Sequence, residues 1–474
     1  MSLNIFLANA PYSLKERYGY LSFLGSTQPS LSLLMIGSVL RKAGNKVRIV
    51  DASAQNLGFT EIIKQIQKNK PELVGLTAVT PAIVKTARLA SVIKAINPAI
   101  PIVIGGPHFT AIPEQTLRDY PAFDYGVIGE GEETVVDLVA ALSGKKDIFD
   151  VPGIAFRHND KIMINPRREV IKDLDTLPFP AWNLLPGFPR KFFPAVFKYK
   201  RFPSSYIVSA RGCPNRCIFC DTSVFGHKIR YHSSDYIIEM IAYLLKTFKI
   251  KDIIFEDDQF LIDKERVKKI CLSLLKNNLK ISWSCSGRVN SVDDLGLLKL
   301  MKRSGCWLIN YGIESANQQL LNSAKKSITI SQIEQAICFT HQAGILSKGY
   351  FIFGLPGETE ETMSETIRFA KQIPLNDVSV FMLTPFPGTE IYNRLKDYHL
   401  TANDFEKMNI LNVVYVPEGL TKEKLIHYQR QFIKEFYLRP SIIGNYFKRF
   451  MLNPYNLCNI LRHLSFKSLL EFRE

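Results

Sequence analysis

The stretch Ser209-Ala210-Arg211-Gly212-Cys213-Pro214-Asn215-Arg216-Cys217-Ile218-Phe219-Cys220 holds three of the eight cysteines of the 474-residue chain, spaced CxxxCxxC. It follows Ser205-Tyr206-Ile207-Val208, a run that reads as a buried strand. Three thiolates on one short loop can face a common centre, and soft thiolate ligands suit an iron–sulfur cluster, zinc or copper(I). A cubane cluster ordinarily takes four cysteines, so a loop supplying three leaves one iron open to another ligand. A structural zinc site instead needs a closed tetrahedron, for which His227 is available as the fourth ligand.

Downstream of this loop a strand–helix unit recurs. Strands are expected over 204–210, 252–257, 281–287, 307–314, 349–355 and 378–384, with helices near 234–248, 264–278, 292–303, 330–343 and 359–373 between them. Six such units make three-quarters of a TIM-like barrel, whose active site belongs at the carboxyl ends of the strands. The cysteine loop follows the first strand, where that rule puts it. The other strand ends carry polar residues at the same rim: Glu256-Asp257-Asp258, then Ser286-Gly287-Arg288, then Glu314-Ser315. Cys271, Cys285, Cys306 and Cys338 fall on expected helices and strands and read as small apolar residues, with Cys285 nearest the rim.

Upstream, apolar strands and amphipathic helices alternate from Asn4 to about Gly144, the pattern of a doubly wound parallel sheet. Strands are expected over 4–10, 46–52, 72–80, 100–105 and 125–129, and helices over 31–43, 60–69, 83–96 and 132–142. Ligands of such sheets bind beyond the carboxyl ends of the strands. Gly105-Gly106-Pro107-His108 and Gly129-Glu130-Gly131-Glu132 stand at those ends, with Thr77 and Thr80 closing the third strand. Glycine there lets the backbone turn tightly and approach a ligand. GxGxxG is absent, which disfavours a dinucleotide.

The fold class expected is therefore α/β: a Rossmann-like sheet over 1–145, a linker with a hairpin over 146–198, a partial (β/α)6 barrel over 199–398 and a helical C-terminal region over 399–474. The hairpin reads over 151–165, and Pro178, Pro180, Pro186, Pro189 and Pro194 keep the connector extended. Phe188 to Phe202 are expected to pack across both halves. Past Arg439-Pro440, residues 442–472 read either as a helical cap on the barrel or as a surface helix presenting Lys448, Arg449 and Lys467 to lipid phosphates; Cys458 lies there too.

Composition is globular, 46% hydrophobic and 22% charged. The formal net charge of +16 is spread over helix faces rather than gathered in one block, which argues against nucleic acid as the partner. A thiolate cluster needs a reducing compartment. The N-terminus lacks a basic stretch followed by an apolar one, and no apolar run reaches the roughly 20 residues of a spanning helix. The protein is expected in the cytoplasm, with peripheral membrane contact as a further option.

The cysteine spacing, with Phe219 before the last cysteine, resembles the signature of the radical S-adenosylmethionine (SAM) enzymes. The glycine loops upstream resemble the cobalamin-binding domain that precedes the barrel in one large subclass of that family, and the likeness spans nearly the whole chain. The resemblance implies a [4Fe–4S] cluster on Cys213, Cys217 and Cys220, SAM chelating the open iron, and a 5′-deoxyadenosyl radical made by one-electron cleavage of SAM. It places Phe219, Glu256, Asp257, Ser286, Arg288, Glu314 and Ser315 near SAM: the acids by its amino group and ribose, Arg288 by its carboxylate. It places Thr77, Thr80, Gly105, Gly106, Pro107, His108, Gly129, Glu130 and Gly131 near cobalamin. The DxHxxG motif of the best-known cobalamin domains is missing, and Asp397-Tyr398-His399 lacks the glycine, so no cobalt ligand is named.

Three functions fit: a radical methyltransferase acting on an unactivated centre, a radical oxidoreductase or cyclase with the same cofactors and no net methyl transfer, or a metal- or corrinoid-binding module that is no enzyme. The tRNA methylthiotransferases share the barrel, but their first domain carries cluster cysteines and this one has none. Expected partners are a small-molecule substrate, lipid-like or tetrapyrrole, and an electron donor of flavodoxin or ferredoxin type.

Overall fold

The computed structural model describes residues 2–19, 22, 25–395 and 402–452. Two parallel sheets organise them. The first takes β1 (Asn4–Asn9), β2 (Lys46–Asp51), β3 (Leu73–Thr77), β4 (Ile102–Gly105), β5 (Tyr125–Val127), β6 (Ile154–His158) and β7 (Lys161–Ile164). Its order is β2-β1-β3-β4-β5-β6-β7, parallel from β2 to β5. Ile5, Leu7, Val74, Ile102 and Ile104 are all but inaccessible to solvent, because helices cover both faces of the parallel strands. The β6–β7 hairpin corrects the expected domain limit: β6 pairs antiparallel with β5, so the hairpin extends the first sheet instead of standing in a linker. Alternation reveals a hairpin but not which edge it joins.

Past a short hairpin of β9 (Ala210–Arg211) and β10 (Arg230–Tyr231), the second sheet is the partial barrel. Its strands are β8 (Ser204–Ile207), β11 (Asp252–Phe255), β12 (Ser282–Gly287), β13 (Cys306–Glu314), β14 (Leu346–Phe353) and β15 (Asp377–Met382), neighbours in that order and all parallel. The expected strands and helices match these within a few residues. Of the four cysteines expected to serve as small apolar residues, Cys271, Cys285 and Cys306 are buried, whereas Cys338 is exposed on its helix, so that reading is corrected for Cys338.

The connector ties the halves together as expected. Ala181 N–H donates to Leu34 O (3.1 Å) and Tyr236 hydroxyl to Leu177 O (3.0 Å), while Trp182 is fully buried. The Lys422–Tyr437 helix, capped by Thr421, lays Phe432 against Phe351 and Phe353, and Gln429 donates to Val380 O (2.8 Å). On the following helix, Pro440–Leu452, Arg449 turns inward: it donates to Phe197 O (2.5 Å) and stacks on Phe197, Trp307 and Tyr446. Of the two placements expected for this segment, Arg449 fits the helical cap and not the surface facing lipid; Lys448 does stay exposed. Lys467, Cys458 and the Asp397-Tyr398-His399 fragment lie outside the described residues. No helix among the described residues is long and apolar enough to cross a membrane.

Candidate functional site

Gly212 through Ile229 form a loop whose neck is the β9–β10 pair, Arg211 opposite Arg230. At the neck Gly212 has φ +90°, a conformation open to glycine, and a Cβ there would collide with the Lys228 carbonyl. Gly212→Ala is therefore expected to spring the neck and cost the protein most of its cluster, read as iron and sulfide bound per chain after anaerobic reconstitution.

Three contacts fix the rest of the loop. Ile218 N–H donates to Ala324 O (3.1 Å), and Ile391 N–H donates to Ile218 O (2.9 Å), so the loop is sewn to the segments after β13 and β15. The Ile218 side chain is fully buried among Leu320, Leu355, Leu383 and Ile391. Beneath the loop, the Asp257 carboxylate accepts Ser209 N–H (2.5 Å) and Ala210 N–H (3.1 Å) and the Ser209 hydroxyl; Arg266 donates to Ser209 O (2.8 Å).

A single cavity of about 620 Å³ joins the cysteine loop to the glycine loops. Cys213, Cys217 and Cys220 form one part of its wall; Gly105, Gly106 and Gly131 form another. Thr77, Pro107, Gly129 and Glu130 also reach it, as do Phe219, Arg288 and Glu314. The structure thus brings together most of the residues expected near the two cofactors. On the glycine side the cavity runs down between the first sheet and its helices, past Gly75 in the middle of β3. A Cβ at Gly75 would strike Leu7, so glycine there keeps open a slot that any larger residue would fill. Gly106, at φ +100°, would meet Ala78 O at 2.7 Å. This long slot, with backbone bared at its rim, fits a flat ring system with a slender appended tail, as in cobalamin.

The thiol wall has matching chemistry. Arg288 Nη1 lies 3.4 Å from the Cys217 sulfur, its Nη2 is buried with no protein partner, and the residue is 4% exposed. An orphaned guanidinium donor beside a thiol is a seat for a carboxylate. Glu314 closes β13 at φ +68°, beyond a register shift in the strand, and pairs with Lys326 at 2.5 Å. Backbone strain of this kind clusters at functional positions. Cys220 is open to the cavity, yet the protein packed around its thiol raises it to about 12, and the neighbouring Cys217, Asp258 and Cys213 add to that; a bound cation is what makes a thiolate favourable there. Among the described residues no three His, Cys, Asp or Glu side chains are grouped as for one metal ion. His227, the proposed fourth zinc ligand, instead contacts Cys213 O and the Thr222 hydroxyl, each at 3.3 Å. Three thiols on one loop, with His227 turned to other partners, leave a fourth position open, which suits a cluster with one free iron better than a closed zinc site.

Several expected contacts lie elsewhere. Asp257 is consumed under the loop, and Glu256 does not line this cavity but has Lys198 as its main charged neighbour. The acid that does reach it is Asp258. Ser286 sits 3.4 Å from Asn310, and Ser315 bonds Thr366 (3.3 Å) and accepts Asn317 N–H (3.1 Å), both away from the cavity. Thr80 and His108 face each other at 3.2 Å behind the glycine loop, with His108 edge-on to Phe405. Sequence reasoning missed Asp258, Lys326, Glu132 and Arg211; the three consecutive acids after β11 were the one available signal, and only the turn decides which of them looks inward.

Glu130 lines the cavity, yet its carboxylate has a second task. It pairs with Arg211 and with Arg230, both at 2.7 Å, and accepts Ile171 N–H (2.8 Å), while Glu132 pairs with Arg211 at 2.6 Å. All four side chains are at most 8% exposed. The glycine loop of the first sheet thereby grips both strands of the cysteine-loop neck.

Two buried imidazoles add a pH dependence. Burial lowers His108 and His232 from an ordinary 6.5 to about 4; His232 is held by Asp175 at 3.1 Å. Both stay neutral when folded and take up a proton once unfolded below about 6.5, so the stability they contribute is present above that pH and is lost as pH falls toward 4. The melting temperature should fall across that window, and His108→Phe should flatten part of the fall relative to the parent chain.

Residues 20–139 match the B12 binding domain family, and residues 207–370 match the Radical SAM superfamily. The chain is 35% identical to an uncharacterized methyltransferase of Pyrococcus horikoshii over 89% of this chain and 90% of that one. It is 30% identical to the anaerobic magnesium-protoporphyrin IX monomethyl ester cyclase of Rubrivivax gelatinosus, over 88% of this chain and 75% of that one. Among solved structures, the radical SAM methyltransferase TsrM of Kitasatospora setae with cobalamin and a [4Fe-4S] cluster bound superposes with a TM-score of 0.70 at 17% identity, covering 93% of this chain and 90% of that one, a likeness of fold. Fold and site define an enzyme of the radical SAM superfamily. Within it, the chain belongs to the B12-binding radical SAM family, whose cofactors are a [4Fe–4S] cluster, SAM and cobalamin.

Proposed function

We propose that the protein is a methyltransferase that places a methyl group on an unactivated centre of a largely apolar small molecule. The observation that carries this reading is the shared cavity, in which the thiol wall and the glycine wall face one space. When bound, the cluster supplies an electron to SAM, SAM a 5′-deoxyadenosyl radical, and cobalamin a transferable methyl group. Cys213, Cys217 and Cys220 would hold the cluster. Arg288 would bind the SAM carboxylate, Asp258 and Glu314 its ammonium and hydroxyl groups, and Phe219 would pack beside it. Thr77, Gly105, Gly106, Pro107, Gly129 and Gly131 would seat the corrin, and the apolar slot past Gly75 its tail.

Arg288→Gln should raise the KM for SAM by roughly ten- to a hundredfold, the loss of one charge-assisted bond, with iron content kept; unchanged KM would remove Arg288 from that role. The protein reconstituted anaerobically with iron, sulfide and hydroxocobalamin, then given SAM and dithionite as one-electron reductant, should form 5′-deoxyadenosine, and the mass of a methylated product should exceed that of its substrate by one methylene unit. Absence of SAM cleavage would overturn the reading. The likeness to a cyclase supports a second one, oxidation or ring closure without net methyl transfer, which the same mass measurement separates. We place an external one-electron donor of flavodoxin or ferredoxin type at its service. The exposed stripe of Ile443, Phe447 and Met451, beside Lys448, supports contact with a membrane surface in the cytoplasm.

A further inference from the structure

A second cavity, of about 430 Å³, lies against the first. Two residues belong to both: Pro107, from the glycine loop, and Asp221, the neighbour of Cys220. The common wall is thus the place where the two cofactor sides meet. From there the second cavity runs outward to Val79 and Ile410, 48% and 41% exposed, at its mouth. Its body is apolar and aromatic, with Tyr12, Tyr18, Phe386 and Met408 among its walls.

Among the described residues, one cation stands in this lining. Arg17 closes a short helical turn whose carbonyls are tied to Asn409: Nδ2 reaches Glu16 O at 2.9 Å and Arg17 O at 2.7 Å. Its guanidinium donates to the Ser26 carbonyl (3.0 Å) and the Tyr18 hydroxyl (3.3 Å), both neutral acceptors. Glu16, its chain neighbour, is taken by Lys85. Arg17 also stacks over the Tyr18 ring, 5.1 Å from its centroid, but among the described residues no carboxylate pairs with it, so an anion in the cavity can meet its charge. Asp221 at the inner wall repels an anion, so an amphiphile is turned one way round: its acid group stays at Arg17 and its apolar body points to the cofactors.

We infer that this second cavity is the substrate site, and that its substrate is an apolar, ring-bearing molecule carrying one carboxylate or phosphate, anchored by Arg17. The inference rests on the proposed enzyme reading and names its substrate class. A guanidinium suits either oxyanion through paired N–H donors.

Naphthylacetate and its uncharged isostere naphthylacetamide serve as probes, their binding to the reconstituted holoenzyme measured by equilibrium dialysis. The acid should bind at least about tenfold tighter than the amide. Arg17→Gln should bring that ratio to near one, Arg17→Lys should keep most of it, and Met408→Trp should weaken both probes by filling the walls. Equal binding of the two probes to the unchanged protein, no binding of either, a ratio untouched by Arg17→Gln, or both affinities untouched by Met408→Trp would each overturn the assignment. 5′-Deoxyadenosine formed by the unchanged holoenzyme without probe reports the enzyme reading separately, so the two can fail independently.

Discussion

Changing Cys213, Cys217 and Cys220 together to alanine is expected to abolish SAM cleavage, bringing 5′-deoxyadenosine to the uncatalysed background. Iron and sulfide bound should fall from about four per chain to none. Cobalamin binding should survive within a few-fold, because the glycine wall belongs to a separate sheet with its own buried strands. The loop should also keep its path, since Ile218 and the Asp257–Ser209 bonds hold it without metal. Cleavage that persisted in the triple variant would place the chemistry somewhere other than this loop.

The second large effect is expected at Glu130. Glu130→Ala leaves Arg230 with only carbonyl acceptors and takes one of two carboxylates from Arg211, both deep in the protein. Removing one partner of a buried ion pair costs roughly 3–5 kcal/mol, far more than an exposed pair contributes, because the remaining charge stays out of water. Chemical denaturation should show a loss of that size. Glu130→Gln should cost less, since its carbonyl can still accept from Ile171 N–H and one arginine. The two halves should also lose register at the neck, so more SAM should be cleaved per product formed. A Glu130→Ala protein within about 1 kcal/mol of the parent would show that the pairs are solvated in solution.

The difference between what the sequence disclosed and what it hid follows the range of the interactions. The cysteine loop was legible because its function lies in the spacing of a dozen neighbouring residues, and the strand that feeds it has a local apolar pattern. The glycine loops were legible for the same reason. The double duty of Glu130 was not: its partners are 81 and 100 positions away, and nothing local marks an acid that will meet them. The rim acids went wrong at finer grain. Glu256, Asp257 and Asp258 are consecutive, and in a strand that runs into a turn successive side chains look in opposite directions. One is spent holding Ser209, one looks toward Lys198, and the third reaches the cavity. His108 carried a motif position but is buried behind the loop it helps to build.

The central claim is that one cavity holds both cofactors face to face. The most direct test is the low-temperature electron paramagnetic resonance spectrum of the holoenzyme, reduced so that the cluster and the cobalt(II) of cobalamin each carry an unpaired electron. Two such centres sharing a space of about 620 Å³ must interact, so the account predicts spectra split or broadened by their coupling, and loss of that splitting in the triple cysteine variant. Two unperturbed signals that simply add, from protein loaded with both groups, would contradict it.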